Sequence, residues 1–300
     1  VADAHCHLDI GYNDHWLDVE EAQVLATAHV TEAARMGAGV TGAMQAEPDV
    51  VVVAVPPAAI PAVVRHLSSL YVQSTFTDVA SVKTQPVHDI EAIGDISSRF
   101  VGGHPMAGRE TSGPTGARAD LFEDRLWILT PTRRTPPERV AQVRTLAEDC
   151  GAVVTIMDAS AHDRAVALTS HAPQVLASLM AGLIASASVD DIQLSGQGLR
   201  DLTRIAGSNP ELWADILGAN ADAVDRVLAS FEERLATVRS ALRVGASLHE
   251  MLHAGNAGRN RIPARHGGVV REDLVIVSVN IDDRPGALAR LFAAAAEANI

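Results

Sequence analysis

The sequence predicts an α/β protein: an open, mostly parallel sheet flanked by helices, followed by an all-helical domain. Two observations carry this. Up to residue 157, short β-branched runs alternate with helically spaced segments, the pattern of a sheet covered by helices. From residue 158 to 254, strand signals give way to helical spacing, with Ala, Leu and Val on one face and charges on the other.

The elements follow in order. Asp49 to Val55 is a continuous β-branched run closed by Pro56-Pro57, suited to a strand buried on both faces. Ala58 to Leu70 is spaced as a helix. Thr75 to Val79 is a second short strand, and Ile90 to Ser98 a helix. Arg99 to Gly103 is a third strand running into His104. Leu126 to Thr130 is the fourth and Ala152 to Met157 the fifth, with a helix from Pro137 to Cys150 between them. In the second part, helices are expected over His162 to Ser186, Gln193 to Ala206 and Pro210 to Arg243. A Gly-, Arg- and Asn-rich stretch then reads as a linker. Leu274 to Ile281 alternates as a strand, Asp282 to Gly286 forms a turn, and Ala287 to Ala298 reads as a helix. The expected limits are thus 1–157, 158–254, a linker over 255–271 and a small module over 272–300. The chain opens on Val1 and stops inside that module, so it reads as a fragment.

Composition narrows the function. The 300 residues are 47% hydrophobic and 20% charged, as in globular domains, and aromatics at 3% leave the core to Ala, Val, Leu and Ile. A net charge of -13, with no basic stripe, argues against nucleic acid, whose binders neutralise phosphates with Lys and Arg. No uninterrupted apolar run approaches the ~20 residues that span a bilayer, and no signal segment opens the chain. Cys6 and Cys150 lie far apart without a CxxC pattern, which suits a reducing cytoplasm. The long apolar helical faces are expected to bury against a second copy, giving a homodimer.

In open α/β sheets, ligands sit at the carboxyl ends of strands. Asp78, Ser81 and His104 all fall just past such ends. His104 stands in Gly102-Gly103-His104-Pro105-Met106-Ala107-Gly108, where glycines permit close approach and an imidazole can accept a proton near neutral pH. Taken alone, the segment equally fits a turn histidine bonded to backbone. Arg200 and Arg204, four apart in Gly196 to Ala206, share a helical face, and Arg204 could grip a carboxylate through paired hydrogen bonds. Taken alone, such an arginine more often belongs to a solvated face, here paired with Asp201. His162 and His171 are nine residues apart, two and a half helical turns, so they need not face the same way and metal ligation by the pair is not expected.

Together these segments resemble the prephenate/arogenate dehydrogenase family. The resemblance rests on Thr77 to Lys83, Gly102 to Gly108 with Glu110 beyond, Ser170 to Pro173, Gly196 to Ala206 and Trp213, in order and spacing, and it spans roughly residues 32–228. Asp283 to Leu288 resembles the start of an ACT domain, a regulatory module. The resemblance implies a Rossmann-like nucleotide-binding domain, an all-α dimerisation domain and a partial ACT segment. It further implies NAD(P)-dependent oxidative decarboxylation of prephenate, or of arogenate, on the route to tyrosine, with tyrosine as an effector. On this resemblance His104 takes the ring hydroxyl proton and Ser81 positions it. Arg204 binds the substrate carboxylate, while His171, Glu110, Arg200, Gly198 and Trp213 line or gate the pocket. Val55, Pro56, Asp78 and Ser81 border NAD or NADP, and no metal is required.

The sequence departs from the family in two places. Residues 1–31 hold no G-x-G-x-x-G phosphate loop, and the acidic residue that would choose NAD over NADP is missing with it. Gln174 stands three residues after His171 where many relatives have a second histidine. Two other readings start from different features. His5 and His7 form an H-x-H pair like that opening metal-dependent hydrolases, although the helical domain argues against the barrel such sites need. A broken nucleotide site with a ligand-sensing tail would instead make a non-catalytic binding protein.

Overall fold

The computed structural model describes residues 46–107, 117–263 and 286–298, with single positions 35, 279, 281 and 284. The chain divides into two compact units, 1–267 and 268–300. His5, His7, Gly108, Glu110 and the strand expected over 274–281 lie outside the described residues, apart from the single positions 279 and 281 of that strand.

The first unit opens on a five-stranded sheet in the order β1 (Val50–Val53), β2 (Thr75–Asp78), β3 (Phe100–Pro105), β4 (Leu126–Pro131) and β5 (Val153–Ile156). β1, β2 and β3 are parallel, with Val53 opposite Asp78 and Thr77 opposite Val101. β4 runs antiparallel to β3, and β5 runs parallel to β4. The sheet is therefore mixed, and β4 brings its beginning, not its end, to the edge where β1 to β3 finish. The connection explains this. A parallel return needs a crossover element, whereas the described part of the 106–125 segment holds only turns.

Apolar residues cover both faces. On one, Val53, Phe76 and Phe100 pack with Ile60 and Val64 of α1 (Ile60–Leu70) and Val87 and Ile90 of α2 (Thr84–Ile93). On the other, Val101, Trp127 and Leu129 pack with Val143 and Ala147 of α3 (Pro137–Asp149). Consecutive residues Phe100 and Val101 enter opposite layers, as strand alternation requires. The helix expected at 90–98 begins earlier, at Thr84, and yields at Gly94 to a 3-10 turn, Asp95–Arg99. Pro86 looks like a breaker in the sequence, but it sits in the first turn, where no intrahelical N–H is required of it.

The rest of the unit is helical. Asp158 caps α4 (Ala159–Val166) by accepting from the Ser160 and Ala161 amides. A π turn, Ala167–His171, leads into α5 (Ala172–Ala185). α6 (Val189–Gln193), α7 (Gln197–Thr203) and a 3-10 turn (Arg204–Gly207) follow. Asn220 then separates α8 (Pro210–Ala219) from α9 (Ala221–Arg243). α10 (His249–Arg259) runs through Gly255 and Gly258, so helix occupies the start of the expected linker. Glycine inside a helix costs only about 1 kcal/mol, which flanking residues can offset. Ala159–Ala185 forms one 27-residue helical stretch that is long and apolar enough to cross a membrane by length and composition. It is not the uninterrupted apolar run that the sequence was read as lacking, since Asp163 and Arg164 fall within it. The stretch is alanine-rich and sparsely charged rather than uniformly apolar. In the second unit, Gly286 adopts a left-handed φ of 82° and starts α11 (Ala287–Glu297), at the position of the expected helix.

β3 is paired on both sides, and its glycines are required by space. A Cβ on Gly102 would run into the Thr130 side chain and carbonyl. Gly102→Ala is expected to destabilise the fold by about 1–3 kcal/mol through overpacking. Urea denaturation checks this, and an unchanged midpoint would show that β4 yields freely.

Candidate functional site

The site is built where β3 ends. Asp78, the last residue of β2, is fully buried and accepts from the Gly103 amide at 2.9 Å and the Ala80 amide at 3.0 Å. Its carboxylate also pairs with the Lys83 ammonium, itself fully buried, which donates to the Gly103 carbonyl at 2.7 Å. Both main-chain groups of Gly103 are thereby held by one buried ion pair. A Cβ on Gly103 would strike the Asp78 carbonyl, so the approach depends on glycine. Burial lowers the Lys83 pKa from 10.5, against the raising effect of Asp78.

His104 follows, within the strand rather than beyond it, and remains partly accessible. Its Nδ1 lies 2.7 Å from Nε2 of His162, and Nδ1 of His162 lies 2.7 Å from Oδ1 of Asp163. Asp163 also accepts from the Lys83 amide through Oδ1 and the Thr84 amide through Oδ2, each at 2.8 Å. These two N–H groups are the open end of α2, where an anion is favoured. Burial raises the Asp163 pKa, but the hydrogen bonds from His162, Thr84 and Lys83 outweigh it, and the net direction is down. His104 is held well below 6.5 by desolvation first, then by His162, Lys83 and His171, with Asp163 opposing. It is therefore uncharged at neutral pH.

His171 joins the same cluster. Nine residues on a regular helix would put it half a turn out of phase with His162. The π turn, with the Ala172 amide bonded to the Ala167 carbonyl, contains more residues per turn and reduces that mismatch. Asn220 donates to the Asp163 main-chain carbonyl at 2.9 Å and lies 3.0 Å from Nδ1 of His171. Trp213 meets the His171 ring edge-on, with centroids 6.0 Å apart. Burial lowers the His171 pKa to about 4. Gln174, one turn further along α5, is buried and its Oε1 has no hydrogen-bond partner.

The other expected site residues stand as follows. Ser81 is half-buried between β2 and α2. Val55 and Pro56 follow β1 at the same sheet edge. Gly198 and Arg200 lie exposed on α7, and Arg204 opens the exposed 3-10 turn after it. Asp78, expected beside the cofactor, has its carboxylate engaged by internal partners. Sequence reasoning missed Lys83, Asp163 and Asn220 and set His162 aside. The adjacent His162-Asp163 pair, four and five residues after the Asp158 cap, was the available signal.

Among the described residues no cluster of three or more His, Cys, Asp or Glu could hold a metal ion. The described residues at the sheet edge do fit a nicotinamide ring. The ends of β1, β2 and β3 lie side by side, offering apolar Val55 and Pro56, the Ser81 hydroxyl and an uncharged His104, while the nearby Asp78 charge is internally neutralised.

Comparison with known proteins agrees with this geometry. The family model for the prephenate dehydrogenase nucleotide-binding domain matches residues 20–156, and that for its dimerization domain matches residues 158–254. A Streptomyces niveus protein named "Probable prephenate dehydrogenase NovF" is 35% identical over 269 residues, 86% of this chain and 74% of that one. The crystal structure of Aquifex aeolicus prephenate dehydrogenase with hydroxyphenyl propionate and NAD+ superposes with a TM-score of 0.69 at 32% identity, covering 78% of this chain and 85% of that one. Synechocystis arogenate dehydrogenase superposes with a TM-score of 0.60 at 30% identity, covering 71% and 78%. The chain belongs to the prephenate dehydrogenase family.

Proposed function

We propose that the chain catalyses the NAD(P)-dependent oxidative decarboxylation of prephenate to 4-hydroxyphenylpyruvate. One observation carries this within the family: His104 is an accessible, uncharged imidazole at the end of a parallel strand, backed by His162 and Asp163. Oxidising a ring hydroxyl needs a base for its proton, and a neutral imidazole supplies one. NAD(P)+ supplies the hydride acceptor. Ser81, Val55 and Pro56 border the nicotinamide, and Ser81 positions His104 and the nicotinamide end. Arg204 binds the side-chain carboxylate as a planar fork. His171, Trp213, Gly198, Arg200 and Glu110 line or gate the pocket. His171 does so uncharged, because its pKa lies near 4. Loss of carbon dioxide is driven by aromatisation of the ring and needs no protein acid.

Arogenate is the second reading, favoured by the similarity to an arogenate dehydrogenase. The helical domain pairs two copies. Leu179 and Leu183 of α5 and Leu194 after α6 are 62%, 69% and 85% exposed, an apolar surface that suits a like partner. The second unit, read as the start of an ACT module, is the place for tyrosine to act.

The test is NADH-band absorbance with prephenate and arogenate, each offered with NAD and NADP. Prephenate turnover is expected to be fastest, and silence in all four pairings would remove the enzyme reading. His104→Ala should lower kcat by about 10²–10⁴-fold and leave cofactor binding unchanged.

The pH profile carries the sign of the histidine shift. Protonating His104 removes the lone pair, so activity is present above its pKa and lost below it. With that pKa depressed by burial, His162, Lys83 and His171 against Asp163, the acid limb of kcat/KM should fall well below pH 6.5. A limb at or above 6.5 contradicts this assignment. Arg204→Ala should raise KM for prephenate by about 10–100-fold, as expected for a lost charged hydrogen bond of 1.5–3 kcal/mol. An unchanged KM removes its carboxylate role.

A further inference from the structure

The line from Asp163 to His104 has a direction. The Lys83 and Thr84 amides can only donate, so the Asp163 oxygens they reach are acceptors. An ionised carboxylate has no hydrogen to give, so the hydrogen in the 2.7 Å contact with His162 sits on His162 Nδ1. With that one N–H on the His162 ring, its Nε2 is a lone pair. The hydrogen in the 2.7 Å contact between the rings then belongs to His104 Nδ1. By the same count His104 Nε2 is bare. The polarity of two backbone amides at the start of α2 thus passes through three side chains to the one ring nitrogen that can meet a substrate.

His162 is almost completely buried, and the contacts of its ring run to His104 on one side and Asp163 on the other. We propose that His162 and Asp163 are positioning residues that hold His104 in its Nδ1–H tautomer and share the charge it gains. This rests on the reading of His104 as the base of a dehydrogenase. In the step itself, the hydroxyl O–H bond breaks and its proton bonds to His104 Nε2. The freed electron pair forms the ring carbonyl as the hydride on that carbon leaves for NAD(P)+, which is reduced as the substrate is oxidised. The ring carbon–carboxylate bond then gives its pair to the ring and carbon dioxide departs. The positive charge on His104 spreads through Nδ1–H to His162 Nε2, and His162 Nδ1–H faces the Asp163 carboxylate. A base in the opposite tautomer would present an N–H to the hydroxyl and could not start the reaction.

The tautomer can be read without substrate. In the full chain labelled with ¹⁵N-histidine, two-bond proton–nitrogen spectra at neutral pH should show His104 protonated at Nδ1 and bare at Nε2. The His104 signals are identified by their loss in His104→Gln. An Nε2–H form in the wild type overturns the proposal. Because this readout uses no substrate, it stands apart from the proposed activity. A wild type without turnover would remove the dehydrogenase reading and leave the tautomer result to decide the other.

Asp163→Asn can offer an N–H to His162 and should reverse both rings, lowering kcat about 10²–10⁴-fold while cofactor affinity stays within threefold. Retention of more than a third of wild-type kcat overturns the proposal. An amide cannot accept both backbone N–H groups, so this variant could fail to fold, and two others serve beside it. His162→Gln keeps an oxygen that can accept from His104 Nδ1, whereas His162→Leu keeps none. Gln should retain kcat at least tenfold above Leu, with the Nδ1–H signal of His104 preserved only in the Gln variant. Equal rates in the two, at equal thermal midpoints, overturn the proposal.

Discussion

The arrangement depends on one buried carboxylate. Asp163 lies on α4, but its oxygens are bonded to the first amides of α2, and its own main-chain carbonyl is bonded by Asn220 at the head of α9. Three helices from different parts of the chain meet on this residue. Burying a carboxylate is unfavourable unless donors compensate, and the amides at a helix start are donors already lacking partners. The same bonds that keep Asp163 ionised therefore satisfy α2. Taking away one partner of such a buried charged group typically costs about 3–5 kcal/mol, because the other is left uncompensated.

A second buried charge completes the frame, and one residue belongs to both. The Lys83 amide goes to Asp163, while its ammonium goes to Asp78 and the Gly103 carbonyl. The short turn between β2 and α2 thus fixes the helical part to the sheet and fixes the strand carrying His104. It also explains why His104 is uncharged. Its ring is desolvated, and Lys83 and His162 both disfavour added positive charge. A solvated histidine would titrate near 6.5, partly protonated through the range where a base must be free. The ammonium that holds the strand also helps to keep that imidazole uncharged.

The sheet was legible because buried parallel strands are written as β-branched runs, and Val50–Val53 is the plainest case. The direction of β4 was not, since direction depends on the connection rather than on the strand. His104 stood out because only glycine tolerates the approach of Asp78 and Thr130 to β3. Its partners did not. Lys83 is the one lysine in the sequence, yet no local pattern announces that its ammonium is buried. His162 and His171 were set aside by arithmetic at 3.6 residues per turn, which holds for α4 and α5 but not for the π turn between them. Family resemblance brought His171 back, while Asp163 and Asn220 became visible only when the chain was folded. Glu110 and the phosphate-loop region fall in residues 1–34, 36–45 and 108–116, outside the described structure.

The π turn also accounts for the double use of α5. A helix that turned regularly from Ala159 to Ala185 would send His162 and His171 to opposite sides, and one of them would face away from the cluster. By delaying the rotation, the turn places His171 against Asn220 and Trp213 and leaves the rest of α5 to continue with ordinary periodicity. That continuation buries Ala172, Gln174 and Ala177 inward and leaves Leu179 and Leu183 outward. π turns are unfavourable and rare, and they persist where a function selects them. Here the local irregularity lets one helix serve two surfaces: an inner one that sets a histidine in the site and an outer apolar one suited to a second copy. A single-residue deletion within the turn would rotate His171 relative to His162, so the position of His171 and the outer face of α5 are bound by the same geometry.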